Sequence, residues 1–290
     1  MTLPLFEGCA TALLTPFKRG KMDEAALRKL VNAQIEAGID ALVACGTTAE
    51  PSTMTENEWE RALSIVVETT AGRVPVIAGT GGNNTLDVIQ KARRAKALGA
   101  DAQLCVTPYY NKTTQNGLIA HYQAIARDGA LPVIVYNVPS RTGLNVLPAT
   151  LNALADEENI IGMKEASGNM AQIMEMIRLC GDRIVFYSGS DELTAPFRAV
   201  GGKGVISVAA NIVPDVMVRM AHAPIEEAAA LNVQYLPLIN ALFTEVNPIP
   251  VKAAAAMLCI CKNEVRLPLT PLSKEHQKQL KQEMQKAGIL

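Results

Sequence analysis

Short apolar runs rich in β-branched residues alternate along the chain with longer stretches of helical period. The strand-like runs cover residues 9–14, 41–45, 75–78, 102–106, 132–136, 160–164, 184–188 and 204–208. There are eight, about 20 to 35 residues apart, the length of one strand–helix unit. Between them the apolar positions follow i, i+3, i+4, i+7. Leu27, Leu30, Val31 and Ile35 make one such face, with Asp23 as its expected N-cap and Gly38 at its C-terminal end. Trp59, Ala62, Leu63, Val66 and Val67 make a second, preceded by a Thr55/Glu58 capping box. Met170, Ile173, Met174 and Ile177 predict a third, with both methionines as core filler.

Eight strand–helix units in one chain close most naturally into a (β/α)8 barrel of the α/β class. An open doubly wound sheet is the competitor. Regular spacing and the absence of a G-x-G-x-x-G fingerprint favour the barrel. The strand rhythm stops near residue 224. The stretches 224–243, 250–261 and 273–287 read as helices, so the expected domains are a barrel over 1–224 and a small C-terminal helical domain over 225–290.

Composition narrows the function classes. The 290 residues are 49% hydrophobic, enough for a large core. Lys and Arg number 27 against 28 Asp and Glu, a net charge of −1, with no electrostatic footprint for nucleic acid or an anionic membrane. The longest uncharged run, 228–244, has 17 residues and includes Asn232, Pro237 and Asn240. A bilayer span needs about 20 mostly apolar residues, so this run reads as a buried helix. The start, MTLPLFEG, has no basic or long apolar stretch typical of a secretion signal. Six Cys without a C-x-x-C pair read as reduced core residues, and a cytoplasmic location is expected. Three His without ligand spacing argue against a metal site. The Gly-rich runs 79–82 and 201–204 match no phosphate-loop pattern; the second reads as a tight turn, with a phosphate site near strand eight as its alternative.

In a barrel of this kind the chemistry gathers where strands end and loops begin. Lys164 closes the apolar run Ile160-Ile161-Gly162-Met163. An ammonium buried there is desolvated, its pKa falls, and the neutral amine becomes a nucleophile for a ketone carbonyl. A structural ion pair is the other reading of the same residue. Glu165 is a poor partner for it, because adjacent residues of a regular strand face opposite sides. Tyr136 ends the fifth run, either as a core-rim aromatic or as a phenol that shuttles protons beside Lys164. Thr47 and Thr48 are turn formers or hydroxyl and amide donors to a carboxylate. Arg141, in the polar loop between Pro139 and Gly143, is a solvated charge or a carboxylate clamp.

Gly46-Thr47-Thr48-Ala49-Glu50, Thr107-Pro108-Tyr109-Tyr110-Asn111, Tyr136-Asn137-Val138-Pro139-Ser140-Arg141-Thr142-Gly143 and Lys164-Glu165-Ala166-Ser167-Gly168 together resemble the dihydrodipicolinate synthase family. These are Schiff-base-forming lyases of the pyruvate-dependent class I aldolase type, and the resemblance runs over nearly the whole chain. It implies that Lys164 forms an imine with pyruvate, whose enamine attacks L-aspartate 4-semialdehyde in the diaminopimelate and lysine pathway. No cofactor is implied beyond that covalent imine. Tyr136, Thr47 and Tyr110 match the family's proton relay, Tyr110 coming from a neighbouring subunit. Thr48 matches the pyruvate carboxylate site and Arg141 the semialdehyde carboxylate site. Gly189 and Ile206 match wall positions beside the lysine. A homotetramer, a dimer of tight dimers, is the assembly the resemblance implies.

Two departures from the family pattern stand out. Ala49 replaces the usual Gly after the Thr pair, which demands either a right-handed turn or stored strain. Asn83 and Tyr109 match the site where lysine inhibits some relatives. Asp87, however, replaces the usual Glu, and Glu56 and Trp59 stand where His is frequent. Weak or absent inhibition by lysine is expected. Sibling pyruvate lyases, such as N-acetylneuraminate lyase or a 2-keto-3-deoxy sugar acid aldolase, are the nearest alternative. Arg141 argues against them, because their substrates carry a neutral polyol tail.

Overall fold

A computed structural model describes residues 4–290. Eight parallel strands form a closed barrel: β1 (Gly8–Ala12), β2 (Ala41–Ala44), β3 (Val76–Gly79), β4 (Ala102–Val106), β5 (Val133–Asn137), β6 (Ile160–Glu165), β7 (Val185–Ser188) and β8 (Gly204–Ser207). Each pairs with the next in sequence, and β8 pairs with β1 through Ala10 opposite Ile206. No edge of the barrel sheet is left open, and nearly every barrel-strand residue is buried, as expected when helices cover one face and a packed interior the other.

The outer layer is α1 (Glu24–Glu36), α2 (Glu56–Thr70), α3 (Thr85–Ala97), α4 (Gln115–Asp128), α5 (Pro148–Leu154), α6 (Met170–Cys180), α7 (Thr194–Ala199) and α8 (Pro214–His222). Asp23 caps α1 by accepting from the Ala26 amide, and both halves of the Thr55/Glu58 capping box are made. The tail adds α9 (Ile225–Ala241), α10 (Ile249–Met257) and α11 (Lys274–Lys286). Leu231 and Leu238 of α9 and Leu280 of α11 join the same apolar cluster as Leu27 and Leu63 of the barrel helices. No helix among the described residues is long and apolar enough to cross a membrane.

Three sequence expectations need correction. Met174 is 48% exposed; the inward face of α6 runs through Ile173, Met176 and Cys180 instead. The apolar stripe is rotated because Met176, not Met174, continues the i+3 step from Ile173. The helix expected to reach residue 261 ends at Met257. Beyond it Cys259 is exposed with φ 59°, and Cys261 is only half-buried, so these two cysteines are not core; the other four are.

One irregularity bears on the site. In the β5–β6 ladder Val133 pairs with Ile160, but Ile134 pairs with Gly162, leaving Ile161 without a partner across. Ile160 and Met163 accordingly both pack in the outer cluster although they are three residues apart. A regular strand would place them on opposite faces; a bulge permits it. Past the bulge, Tyr136 lies opposite Lys164.

Candidate active site

A cavity of about 710 Å³ opens at the C-terminal ends of the strands. Lys164 is 5% exposed and lines it, one residue from the end of β6. Its ammonium sits 4.4 Å from the centre of the Tyr136 ring, on the neighbouring strand. Burial lowers its pKa to about 8; the carboxylate of Asp191 opposes that shift and the guanidinium of Arg141 adds to it. At neutral pH a lysine at 8 holds roughly two orders of magnitude more free amine than one at its usual 10.5. Burial pushes the Tyr136 phenol up to about 12, so it stands ready as a proton donor.

Glu165 is not the partner of Lys164. Its carboxylate accepts from the Ser167 amide at 2.5 Å and from Asn137 Nδ2 at 2.9 Å, on the helix side of the strand. Asn137 also bonds Asn145 and, through its Oδ1, the Val146 amide, which pins the loop after β5. That loop begins with a single helical turn, Pro139–Thr142, closed by Gly143 at φ 68°. Arg141 rides on the turn, exposed to solvent at the cavity wall.

After β2 the chain makes a 3-10 turn over Thr47–Ala49. Thr47 is exposed and Thr48 buried, and both line the cavity. Ala49 is right-handed, which settles the first departure without strain at that residue. The left-handed positions are instead Cys45 (φ 56°) and Glu50 (φ 59°), on either side. Gly189 leaves room for the lysine: a Cβ there would lie 3.0 Å from Lys164 Cε and 2.7 Å from Ala166 Cβ.

Two expected residues are not among those lining this chain's own cavity. Ile206 is buried in the barrel-interior cluster with Tyr136 and is not among the cavity-lining residues. Tyr110 is 92% exposed, has φ 71°, and is outside the lining of this chain's cavity. Sequence reasoning missed Asp191, Glu192, Asn240, Phe243 and Asn247. Asp191 is buried and accepts from the Val208 and Ala209 amides through Oδ2; the others line the cavity. Asn247, from the tail, donates to Thr48 Oγ1 at 3.0 Å. Its run Asn-Pro-Ile-Pro carries no periodic signal that points to a barrel rim.

Of the residues matched to the lysine-sensitive site, Asn83 donates to the Tyr109 carbonyl. Glu56 pairs with Arg94 at 3.4 Å. Trp59 is buried, with the Lys91 ammonium 4.8 Å from its ring centre.

The described residues contain no group of three or more His, Cys, Asp or Glu placed to hold a metal ion. The arrangement offers a poised amine, a phenol against it, and polar donors at the cavity walls, which is the equipment for imine chemistry on a small keto acid.

Comparison with known proteins agrees with that chemistry. Residues 5–287 match the model of the dihydrodipicolinate synthetase family. The 4-hydroxy-tetrahydrodipicolinate synthase of Geotalea uraniireducens is 50% identical over 99% of this chain and 100% of its own. That of Alkaliphilus oremlandii is 48% identical over the same shares. The crystal structure of dihydrodipicolinate synthase from Thermotoga maritima superposes with a TM-score of 0.97 at 40% identity, over 99% of this chain and 100% of that one. The chloride-inhibited dihydrodipicolinate synthase from Acinetobacter baumannii, solved with pyruvate, gives 0.96 at 41% identity over 98% and 99%. With the barrel, the strand-end motifs and these full-length likenesses in agreement, the chain belongs to the dihydrodipicolinate synthetase family.

Proposed function

We propose that the protein condenses pyruvate with L-aspartate 4-semialdehyde to give 4-hydroxy-tetrahydrodipicolinate and water, for diaminopimelate and lysine synthesis. The observation that carries this reading is the buried Lys164 amine, with its pKa near 8, against the Tyr136 ring in the strand-end cavity. The Lys164 nitrogen adds to the keto carbon of pyruvate, and loss of water leaves an imine. The imine withdraws electrons, a methyl proton leaves, and the enamine carbon bonds to the aldehyde carbon of the semialdehyde, whose oxygen takes up a proton. The amino group of that substrate then adds to the imine carbon. This closes a six-membered ring and returns Lys164 as a free amine.

Tyr136 and Thr47 move the protons, together with Tyr110 supplied by a second copy of the chain. Thr48 holds the pyruvate carboxylate, and the Arg141 fork holds that of the semialdehyde. Gly189 keeps the wall clear, and Ile206 supports the floor under Tyr136. The enzyme works without a cofactor, in the cytoplasm, as a homotetramer built from two tight dimers. The names of its relatives support this reaction over that of a sibling sugar-acid lyase.

The test is to incubate the protein with pyruvate, reduce with borohydride and locate the mass increment. An adduct on Lys164 is expected; none, or one elsewhere, ends the reading. Arg141→Ala should raise the semialdehyde KM about a hundredfold while leaving adduct formation nearly intact, and equal loss of both would remove Arg141 from its role.

A further inference from the structure

The turn that carries Thr47 and Thr48 is gripped from behind by the C-terminal tail. Glu50 follows that turn in a left-handed conformation, with its side chain buried away from the cavity. Its Oε1 lies 2.5 Å from Lys252 Nζ, on α10, and its Oε2 accepts from the Arg266 amide at 3.0 Å. The Lys252 side chain is 0% exposed; its ammonium also donates to the Glu264 carbonyl and lies 4.1 Å from the centre of the Phe17 ring. The Arg266 guanidinium stacks on the same ring at 4.1 Å. It forks onto both Glu58 oxygens and donates to the Thr53 carbonyl. Asn247, five residues before Lys252, holds Thr48 Oγ1. One stretch of tail, residues 247–266, therefore contacts the turn at Thr48 and the chain that follows it at Glu50, Thr53 and, on α2, Glu58.

Such a pair is poorly explained as a source of stability. Desolvating two charges cancels most of their attraction, and a well-packed apolar pair serves as well. What an ion pair adds is a fixed separation and direction. Here it acts at a residue whose left-handed backbone is unfavourable for a side chain with a Cβ, immediately after the two threonines. Accepting from Asn247 also occupies one side of the Thr48 hydroxyl, so its proton is free to point into the cavity.

We infer that Glu50 and Lys252 are positioning residues for the reaction. With Asn247, they set the Thr47–Thr48 turn so that it receives the carboxylate of the keto acid, which makes the C-terminal helices part of the binding apparatus. This rests on the reading of Thr48 as the pyruvate carboxylate site. A carboxylate held alike in the ground and transition states contributes to KM and not to kcat, so that split is the readout.

The experiment uses the full-length enzyme. Glu50→Gln, the double variant Glu50→Gln/Lys252→Met and Thr48→Val are compared in steady-state kinetics, in borohydride trapping against pyruvate concentration, and in thermal melting. The double variant leaves no bare charge in the interior, so it decides the matter if the single one does not fold. Both are expected to raise the pyruvate KM and the half-trapping concentration about tenfold, with kcat within about threefold and the semialdehyde KM within about twofold of the parent. A folded variant whose pyruvate KM stays within about twofold, whatever its melting temperature, overturns the inference. If Thr48→Val raises that KM while the Glu50 variants do not, the inference alone falls. If Thr48→Val also leaves it unchanged, the carboxylate-site reading falls with it.

Discussion

Among the described residues two lysine ammonium groups are buried, one in the cavity and one in the seam between barrel and tail. Burial lowers the pKa of both. Lys252 is met by the Glu50 carboxylate at 2.5 Å and by a backbone carbonyl. Lys164 has no ion-pair partner among the described residues; it has a ring beside it and open space ahead. Desolvation is thus common to a nucleophile and a structural cation. What separates them is whether a carboxylate neutralises the charge and whether a ligand can reach the nitrogen.

The sharpest test of that contrast is one substitution made twice. Lys164→Met is expected to reduce turnover at least about a thousandfold, because it removes the buried amine that stands against the Tyr136 ring in the cavity. It is also expected to raise the melting temperature. The folded pKa lies near 8 and the unfolded value near 10.5, so the unfolded chain binds the proton more tightly and folding at neutral pH is opposed by a few kcal/mol. That opposition is fully present below about pH 8 and fades as pH rises towards 10.5. Lys252→Met should do the reverse, lowering stability by about 3–5 kcal/mol because it strands a buried carboxylate. Denaturant melts of both proteins at one pH check the opposite signs, and equal signs would erase the distinction.

A smaller effect comes from pH. The free amine is the reactive form, so kcat/KM for pyruvate should climb about tenfold per unit below pH 8 and flatten above it. A break at the ordinary lysine value, measured in the same profile, would show an amine indifferent to its surroundings. Smallest of all is the expected response to added lysine. Lys91 lies over Trp59, and Glu56 is engaged with Arg94, at two of the positions where the sequence departs from the lysine-inhibited pattern. Half-inhibition is expected only above about a millimolar, the weak end of small-ligand affinity. A rate assay with lysine up to that level checks it.

The barrel was legible because each strand is a short, mostly apolar run closed by a polar turn, a signal contained within a few residues. For the same reason Lys164, Tyr136, Arg141 and the Thr pair could be picked out, since all sit where an apolar run ends. Asn240, Phe243 and Asn247 could not. They reach the cavity only through packing of distant segments, and nothing in their local sequence announces a rim. Met174 was misplaced because Met170, Met174 and Met176 offer two apolar stripes on α6, and only packing against β5 and β6 selects one. The conformation of Ala49 was an open choice in the sequence. It resolved when the left-handed residues proved to be Cys45 and Glu50, neither of which advertises that backbone.

The unpaired Ile161 has a further consequence. Ile160 is committed to the helix layer and Lys164 to the cavity, yet four steps along a regular strand lead back to the side one started from. The chemistry therefore depends on parity: an odd residue, absorbed before Gly162, turns the lysine inward and its acidic neighbour outward. A mutation that merely restored regular alternation, with every side chain intact, would present a glutamate to the substrate and hide the amine among the helices.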